Sequence, residues 1–236
     1  RGDDVYKLMA SNIYKKNTED ITREERFVGK QTVLGCGYGM GSVRFQAQLQ
    51  SLGVALSDTE CQHIIETYRI AFPMIRGFWR ESGEGLSAII SNEQTPLGTP
   101  KVLTVMGQQG IQLPNGLFLR YPNLRNEINP DTKRDEYVYD TLRGKSKAST
   151  RIYGGKLVEN ICQAVARIVI GEQLVRVSKK YKVAMTVHDA ITCIVPVTEV
   201  KSAMDYIEET MKIKPSWAPD LPLDCEGGFG DSYGDC

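Results

Sequence analysis

The sequence predicts a mixed α/β (α+β) fold, with helices in the N-terminal part and antiparallel strands after them, on three observations. Helical apolar periods with two capping boxes occupy the N-terminal part. A stretch rich in β-branched residues and broken by Pro and Gly follows at 95–130, and two β-rich runs near the C-terminus are separated by only two residues. At 236 residues and 41% hydrophobic, the chain can bury a normal core as one large domain or two lobes sharing an interface.

Taken in order, Val5, Leu8, Met9 and Ile13 recur at helical spacing and predict a first helix from Val5 to Tyr14, with a break marked by Asn17 and Asp20. Thr22 followed by Glu25 is a capping box, in which hydroxyl and carboxylate satisfy free amides, so a second helix starts near Arg23. It runs until Gly35, Gly37, Gly39 and Gly41 weaken it. Ser57 and Glu60 repeat the pattern ahead of a third helix that Pro73 closes. Short strands joined by turns fit 95–130, and the polar, charged stretch from Asn129 to Ala148 reads as a surface excursion. A long helix from Gly155 to Lys180 carries Leu157, Ile161, Val165, Ile168 and Leu174 on one side, with Glu159, Gln163 and Arg167 on another. VAMTV and AITCIVP form a hairpin around His188 and Asp189, and a last helix spans Glu199 to Ile213.

Bulk properties exclude several classes. Lys plus Arg equals Asp plus Glu at 29 each, so any nucleic-acid function rests on local patches rather than on overall charge. The six cysteines show no C-x-x-C pair and no accompanying histidine cluster, which argues against a zinc site or a disulfide framework. No charge-free apolar run approaches the length of a membrane span or signal peptide, so no membrane association is expected and a cytoplasmic setting follows. The chain opens without Met and runs at once into a helical pattern, as expected of a piece of something longer.

Arg26, Lys30, Leu34 and Tyr38 fall every fourth residue and form a stripe about 18 Å long at 1.5 Å per residue. Two cations near the positive end of the helix dipole suit phosphates, and the apolar and aromatic pair beyond suits a base and sugar. The same spacing also fits a solvated basic face followed by core positions. The glycine cluster is not a dinucleotide fingerprint, because Met40 or Ser42 stands where a third Gly is needed, and no phosphate-cradling P-loop string occurs. Asp189 at a hairpin tip offers a rigidly held, accessible carboxylate of the kind that binds Mg²⁺, although Asp is also a common turn residue.

In combination these motifs resemble the family A DNA polymerases, the group of bacterial DNA polymerase I and many phage replicative enzymes, over nearly the whole chain. RFVGKQTVLGCGYGMG is similar to the family's motif B, VHDAITCIVP to its motif C, and YGGKLVENICQAVAR to the phage version of the helix before motif C. The resemblance implies a phage-type, C-terminal fingers-and-palm fragment: 1–94 as fingers, 95–154 as a connecting region, and 155–236 as the C-terminal half of the palm. It implies DNA-templated DNA synthesis from dNTPs on primer-template DNA with two Mg²⁺ ions.

By the same resemblance Arg26 and Lys30 bind the triphosphate, Lys30 supports charge on the leaving pyrophosphate, and Tyr38 guards the template-base position. Asp189 binds metal and His188 contacts the primer end. Gln163 reaches the minor groove, with Glu159, Asn160 and Arg167 as further DNA-facing candidates. Leu34 replaces the family's usual Phe or Tyr, which implies discrimination against chain terminators. Tyr6 stands where bacterial members often carry His and is a phosphate contact, and Ala190 replaces a common Glu. The family's motif A, with a second catalytic Asp, is expected from an upstream portion, so the fragment alone is expected to be inactive. A noncatalytic nucleic-acid-binding fragment or subunit of a split polymerase is the alternative. The polymerase reading requires the cationic helix and the acidic hairpin tip to converge on one cleft.

Overall fold

The structure, a computed structural model, describes residues 3–144 and 146–235. By contacts the chain divides into two compact units, the first made of Arg1–Gln112 and Phe118–Ile161, the second of Leu113–Leu117 and Cys162–Cys236.

The first unit is built on helices α1 (Val5–Tyr14), α2 (Arg23–Cys36), α3 (Ser42–Ser51), α4 (Asp58–Ala71) and α5 (Pro73–Ile90). Both expected capping boxes form: Thr22 and Glu25 close the start of α2, Ser57 and Glu60 that of α4. The apolar stripes of α1 to α4 meet in one core of Met9, Ile13, Val28, Phe45, Leu49, Cys61, Ile64, Ile65 and Tyr68, with Cys36 beside them. Burial pushes the Cys36 thiol up to about 12, which keeps it protonated and inert.

Gly29 sets how closely α1 and α2 approach. A Cβ built there meets the Tyr6 carbonyl oxygen and lies 3.0 Å from the Ala10 nitrogen. Helix α2 ends at Cys36, so Tyr38 sits in the turn that follows rather than on the helix. The expected four-residue stripe is therefore three residues of helix and one of turn. Gly39, at φ +82°, takes the left-handed conformation that reverses the chain, and Gly41 caps α3.

Two helices have no counterpart in the sequence reading. Helix α3 follows the glycine cluster directly, and α5 begins at Pro73, the residue that stops α4 and then serves as the first position of the next helix. Glycines at 77, 83 and 85 interrupt the pattern of α5, yet Gly85 lets the helix lie against Val105 and Leu97. Those two residues belong to a four-stranded antiparallel sheet and its loops, with strands β1 (Gln94–Pro96), β2 (Thr104–Met106), β3 (Ile111–Gln112) and β4 (Phe118–Leu119) in that order.

The described residues of 129–148 lie largely at the surface, as expected, but as regular strands rather than as an irregular excursion. They belong largely to a second antiparallel sheet of β5 (Arg125–Ile128), β6 (Asp135–Arg143) and β7 (Ser146–Ile152). Charge hid the strands, because the polar residues satisfy one another across the ladder. Across strands Arg125 pairs with Asp140 at 2.9 Å and Arg151 with Glu136 at 2.6 Å, and along β5 Arg125 also pairs with Glu127 at 2.6 Å. Val138 and Ile152 are buried, and Tyr139 packs edge-on to Tyr121 with ring centroids 5.1 Å apart.

Helix α6 (Gly154–Val177) leads from the first unit into the second. A side chain at Gly154 would strike the Trp79 carbonyl, and one at Gly155 the Tyr38 carbonyl, so this pair lets the helix start pack directly on backbone. In the second unit, β8 (Lys182–Val187) and β9 (Ala190–Ile194) form the expected hairpin, and α7 (Val200–Met211) packs beside the end of α6. There the Gln173 amide donates to the Met211 carbonyl, Tyr206 Oη to the Arg176 carbonyl at 3.2 Å, and Trp217 Nε1 to Glu172 at 3.0 Å. No helix among the described residues is long and apolar enough to cross a membrane.

The Gly29 contact predicts the sign of a substitution. On helix propensity alone Gly29→Ala would stabilise by about 1 kcal/mol. The collision with the Tyr6 carbonyl reverses this, and we expect a net loss of about 1–3 kcal/mol. A melting temperature equal to or above that of the wild type in a thermal denaturation series would show that the helices are not in this contact.

Candidate functional site

The helix that carries Arg26 and Lys30 has two distinct sides. Val28, Gly29, Thr32, Gly35 and Cys36 are buried, while Lys30 and Leu34 are exposed and Arg26 is half-buried. Leu34 retains 49% of its accessible surface, so it is not a core residue, and the stripe from Arg26 to Leu34 faces outward. Glu24 and Glu25 stand close to Arg26 in sequence, but Glu25 is engaged elsewhere. Its carboxylate accepts from the Thr22 amide at 3.0 Å and from Lys16 Nζ at 2.6 Å, and Lys16 holds it below the usual carboxylate range.

Close packing of α1 on α2 adds Tyr6 to this surface. The Arg26 Cζ lies 5.3 Å from the centre of the Tyr6 ring and Lys30 Nζ lies 5.9 Å from it, so one aromatic face serves both cations. Three residues singled out from the sequence, Tyr6, Arg26 and Lys30, therefore come together. A fourth participant was missed. Asp4, the N-cap of α1, places Oδ2 2.7 Å from Arg26 Nε, and the hydrogen bond from Arg26 lowers its pKa. An Asp two residues before Tyr6, at a helix start, was the available signal, though nothing in the spacing pairs it with a residue 22 positions on.

Tyr38 lies in the turn after α2, half-buried, and its carbonyl accepts from Tyr153 Oη at 3.2 Å. The neighbouring Gly37 carbonyl accepts from Trp79 Nε1 at 2.9 Å. These bonds from β7's end and from α5 hold the backbone on which Tyr38 is carried.

On α6, Glu159 accepts from Lys156 Nζ at 2.8 Å. The Asn160 amide donates to Tyr121 Oη at 3.0 Å, and the phenol is pushed up to about 12 chiefly by burial. Asn160 is thus committed to satisfying a buried hydroxyl. Gln163 and Arg167, one turn apart, are both exposed.

In the second unit, His188 and Asp189 form the two-residue connection between β8 and β9, with Val187 paired to Ala190. Both side chains are exposed, and His188 takes φ +52°, the left-handed backbone that two-residue hairpins demand. Among the described residues no three of His, Cys, Asp and Glu stand together as a metal-holding group. Asp189 offers hard oxygen of the right kind for Mg²⁺, but the described residues do not complete a site around it.

Comparison with known proteins gives the kinship of these elements. The family model of DNA polymerase family A matches residues 1–99, which include α1, α2 and the whole Tyr6, Arg26 and Lys30 group. A DNA polymerase of Bacillus phage SP02 is 32% identical over 238 aligned positions, covering 97% of this chain. Over residues 1–99 the chain carries the sequence pattern of DNA polymerase family A. A DNA polymerase of Bacillus phage SP01 is 21% identical and covers 99% of the chain. The chain spans 36% of the length of the SP02 protein and 23% of that from SP01. The POL domain of Pol1 from M. smegmatis, solved in complex with DNA primer-template and dNTP, aligns over 94% of this chain and 33% of its own with a TM-score of 0.56. At 16% identity that likeness is one of fold, and it agrees with the mixture of helices and antiparallel sheets expected from the sequence.

The Asn160 bond yields a test that separates structure from ligand contact. Asn160→Ala leaves the buried Tyr121 hydroxyl without its partner, and urea unfolding should show a loss of about 1–3 kcal/mol. A variant as stable as wild type would mean that the amide serves something other than this phenol.

Proposed function

We propose that this chain is a member of family A that takes part in DNA-templated DNA synthesis, the transfer of a nucleotidyl group from a dNTP to a primer 3′-hydroxyl, with α2 as the nucleotide-binding helix. The observation that carries the reading is the outward-facing group of Arg26 and Lys30 around the Tyr6 ring, within the region that the family model matches. The names of the phage relatives and the dNTP and primer-template bound to the M. smegmatis domain support it. In this reading 1–94 form the fingers, 95–154 a connecting region, and 155–236 part of the palm.

Arg26 and Lys30 take the triphosphate, whose charge a guanidinium and an ammonium one turn apart neutralise. Lys30 also stabilises the charge that grows on the departing pyrophosphate. Leu34 lies under the sugar and Tyr38 beside the template base. Gln163, with Arg167 and Glu159 nearby on α6, faces the duplex minor groove, where acceptors common to all base pairs allow geometry to be tested without reading sequence. His188 contacts the primer end.

Asp189 supplies one carboxylate for Mg²⁺. A two-ion centre needs more oxygen ligands than this, so the remaining ones come from elsewhere in the working polymerase and the chain by itself does not complete the reaction.

Substitution of Asp189 by Ala in the active polymerase should abolish primer extension while leaving primer-template affinity intact. Unchanged synthesis would instead support a noncatalytic nucleic-acid-binding subunit. Lys30→Ala should lower kcat on the order of 10²- to 10³-fold, the range found when one donor to a developing anion is removed. Single-turnover extension rates measure it, and a change confined to KM would assign Lys30 to binding alone.

A further inference from the structure

Arg26 is not aimed by its own helix alone. Its Nε donates to Asp4 Oδ2 at 2.7 Å, while the other oxygen of that carboxylate, Oδ1, accepts from the amides of Tyr6 and Lys7 at 3.0 and 3.2 Å. One carboxylate therefore caps α1 and grips the guanidinium. Because the cap ties Oδ1 to backbone, Oδ2 has little freedom, and the guanidinium is oriented by a fixed group rather than by another flexible side chain. The Tyr6 ring, 5.3 Å from Arg26 Cζ, adds a second restraint from the same helix start.

A guanidinium has five N–H donors in a planar fork. The bond to Asp4 uses the one on Nε. The two terminal nitrogens form the edge whose spacing matches two oxygens of a phosphate.

We propose that Asp4 is a positioning residue for nucleotide binding: it holds Arg26 by Nε so that the terminal edge of the guanidinium meets the triphosphate already oriented. This deepens the reading of α2 as the nucleotide-binding helix and rests on it. A carboxylate beside a phosphate site would ordinarily compete with the ligand for the cation. Here it does not have to leave, because it is anchored as a helix cap and occupies a different edge of the guanidinium from the one a phosphate prefers. The benefit is entropic, since a long side chain fixed before the ligand arrives loses less freedom when it binds. The pair persists at neutral pH, because the hydrogen bond from Arg26 holds the Asp4 carboxyl below the usual carboxylate range. It is also partly exposed, with 40% of the Arg26 and 33% of the Asp4 side chain accessible, so its contribution to folding is small and its loss is tolerable.

Asparagine caps helices as well as aspartate does, and Asp4→Asn therefore removes the charge and keeps the cap. In the polymerase that carries these residues, bound to primer-template, Asp4→Asn should melt within about 2 °C of wild type. Its Kd for the correct dNTP should rise about two- to tenfold with kcat unchanged. The Asp4→Asn/Arg26→Ala double variant should bind no more weakly than Arg26→Ala alone, since the carboxylate acts only through the arginine. If Asp4→Asn melts much lower than this, Asp4→Ser, which also caps, takes its place in the same measurements. Affinity equal to or tighter than wild type in the folded Asp4 variant, with Arg26→Ala weakened, overturns the positioning role and leaves the nucleotide-helix reading standing. Wild-type affinity in Arg26→Ala sinks that reading and the positioning role with it.

Discussion

The approach of α1 to α2 at Gly29 is the constraint on which the first unit's surface depends. Any side chain there would enter space held by the Tyr6 carbonyl and the Ala10 backbone. Removing the side chain brings the start of α1 against the first turns of α2, and that apposition puts the Tyr6 ring within reach of both Arg26 and Lys30. It also lets Asp4 span from a helix cap to a guanidinium. The cations themselves are a property of α2's sequence. Their environment is a property of how tightly another helix lies on it.

Electrostatically the arrangement is local. The chain as a whole carries 29 cations and 29 anions among its Lys, Arg, Asp and Glu residues, so it produces no long-range field of one sign. What distinguishes α2 is which anions are already engaged. Glu25 is bound to its cap and to Lys16, and Asp4 is bound to its cap and to the Nε edge of Arg26. Both carboxylates are thus tied to backbone amides at helix starts. The β5–β7 sheet handles its charges differently. Arg125 with Asp140 and Arg151 with Glu136 are paired across strands, Arg125 with Glu127 along one strand, and the charges serve pairing within the sheet.

What could be read from sequence follows from the range of the forces involved. Capping boxes at Thr22 and Ser57, the α1 boundaries and the His188–Asp189 hairpin are set by neighbours within four residues, and all were legible. Helix α5 was not, because three glycines interrupt its pattern, and one of them, Gly85, serves contacts with Val105 and Leu97 that the local pattern cannot announce. Strands β6 and β7 read as a polar excursion for a related reason: a charged residue in a strand is favourable only when its partner stands opposite, and Arg151 and Glu136 are 15 positions apart. Within the candidate site the fourfold spacing of Arg26 and Lys30 fits a solvated basic face as well as a phosphate site, and resemblance to a family is what gave them a role. Tyr6 came only through resemblance to a family, and Asp4 by neither route, since its significance lies in a contact spanning 22 residues.

Leu34 bears on which ligand the stripe suits. Leu34, one turn beyond Lys30, is 49% exposed; a single exposed leucine is ordinary on a protein surface, and its interest lies in following two cations on the same helix face. A nucleoside triphosphate has a charged end and a largely apolar end, and the helix presents the same order: guanidinium, ammonium, then isobutyl. Polyphosphate or duplex backbone would match the first two and leave the third in solvent. In the proposed reading the order of chemistry along this helix face suits a small ligand with two unlike ends, in keeping with an assignment of α2 to the nucleotide that rests on Arg26, Lys30 and the Tyr6 ring.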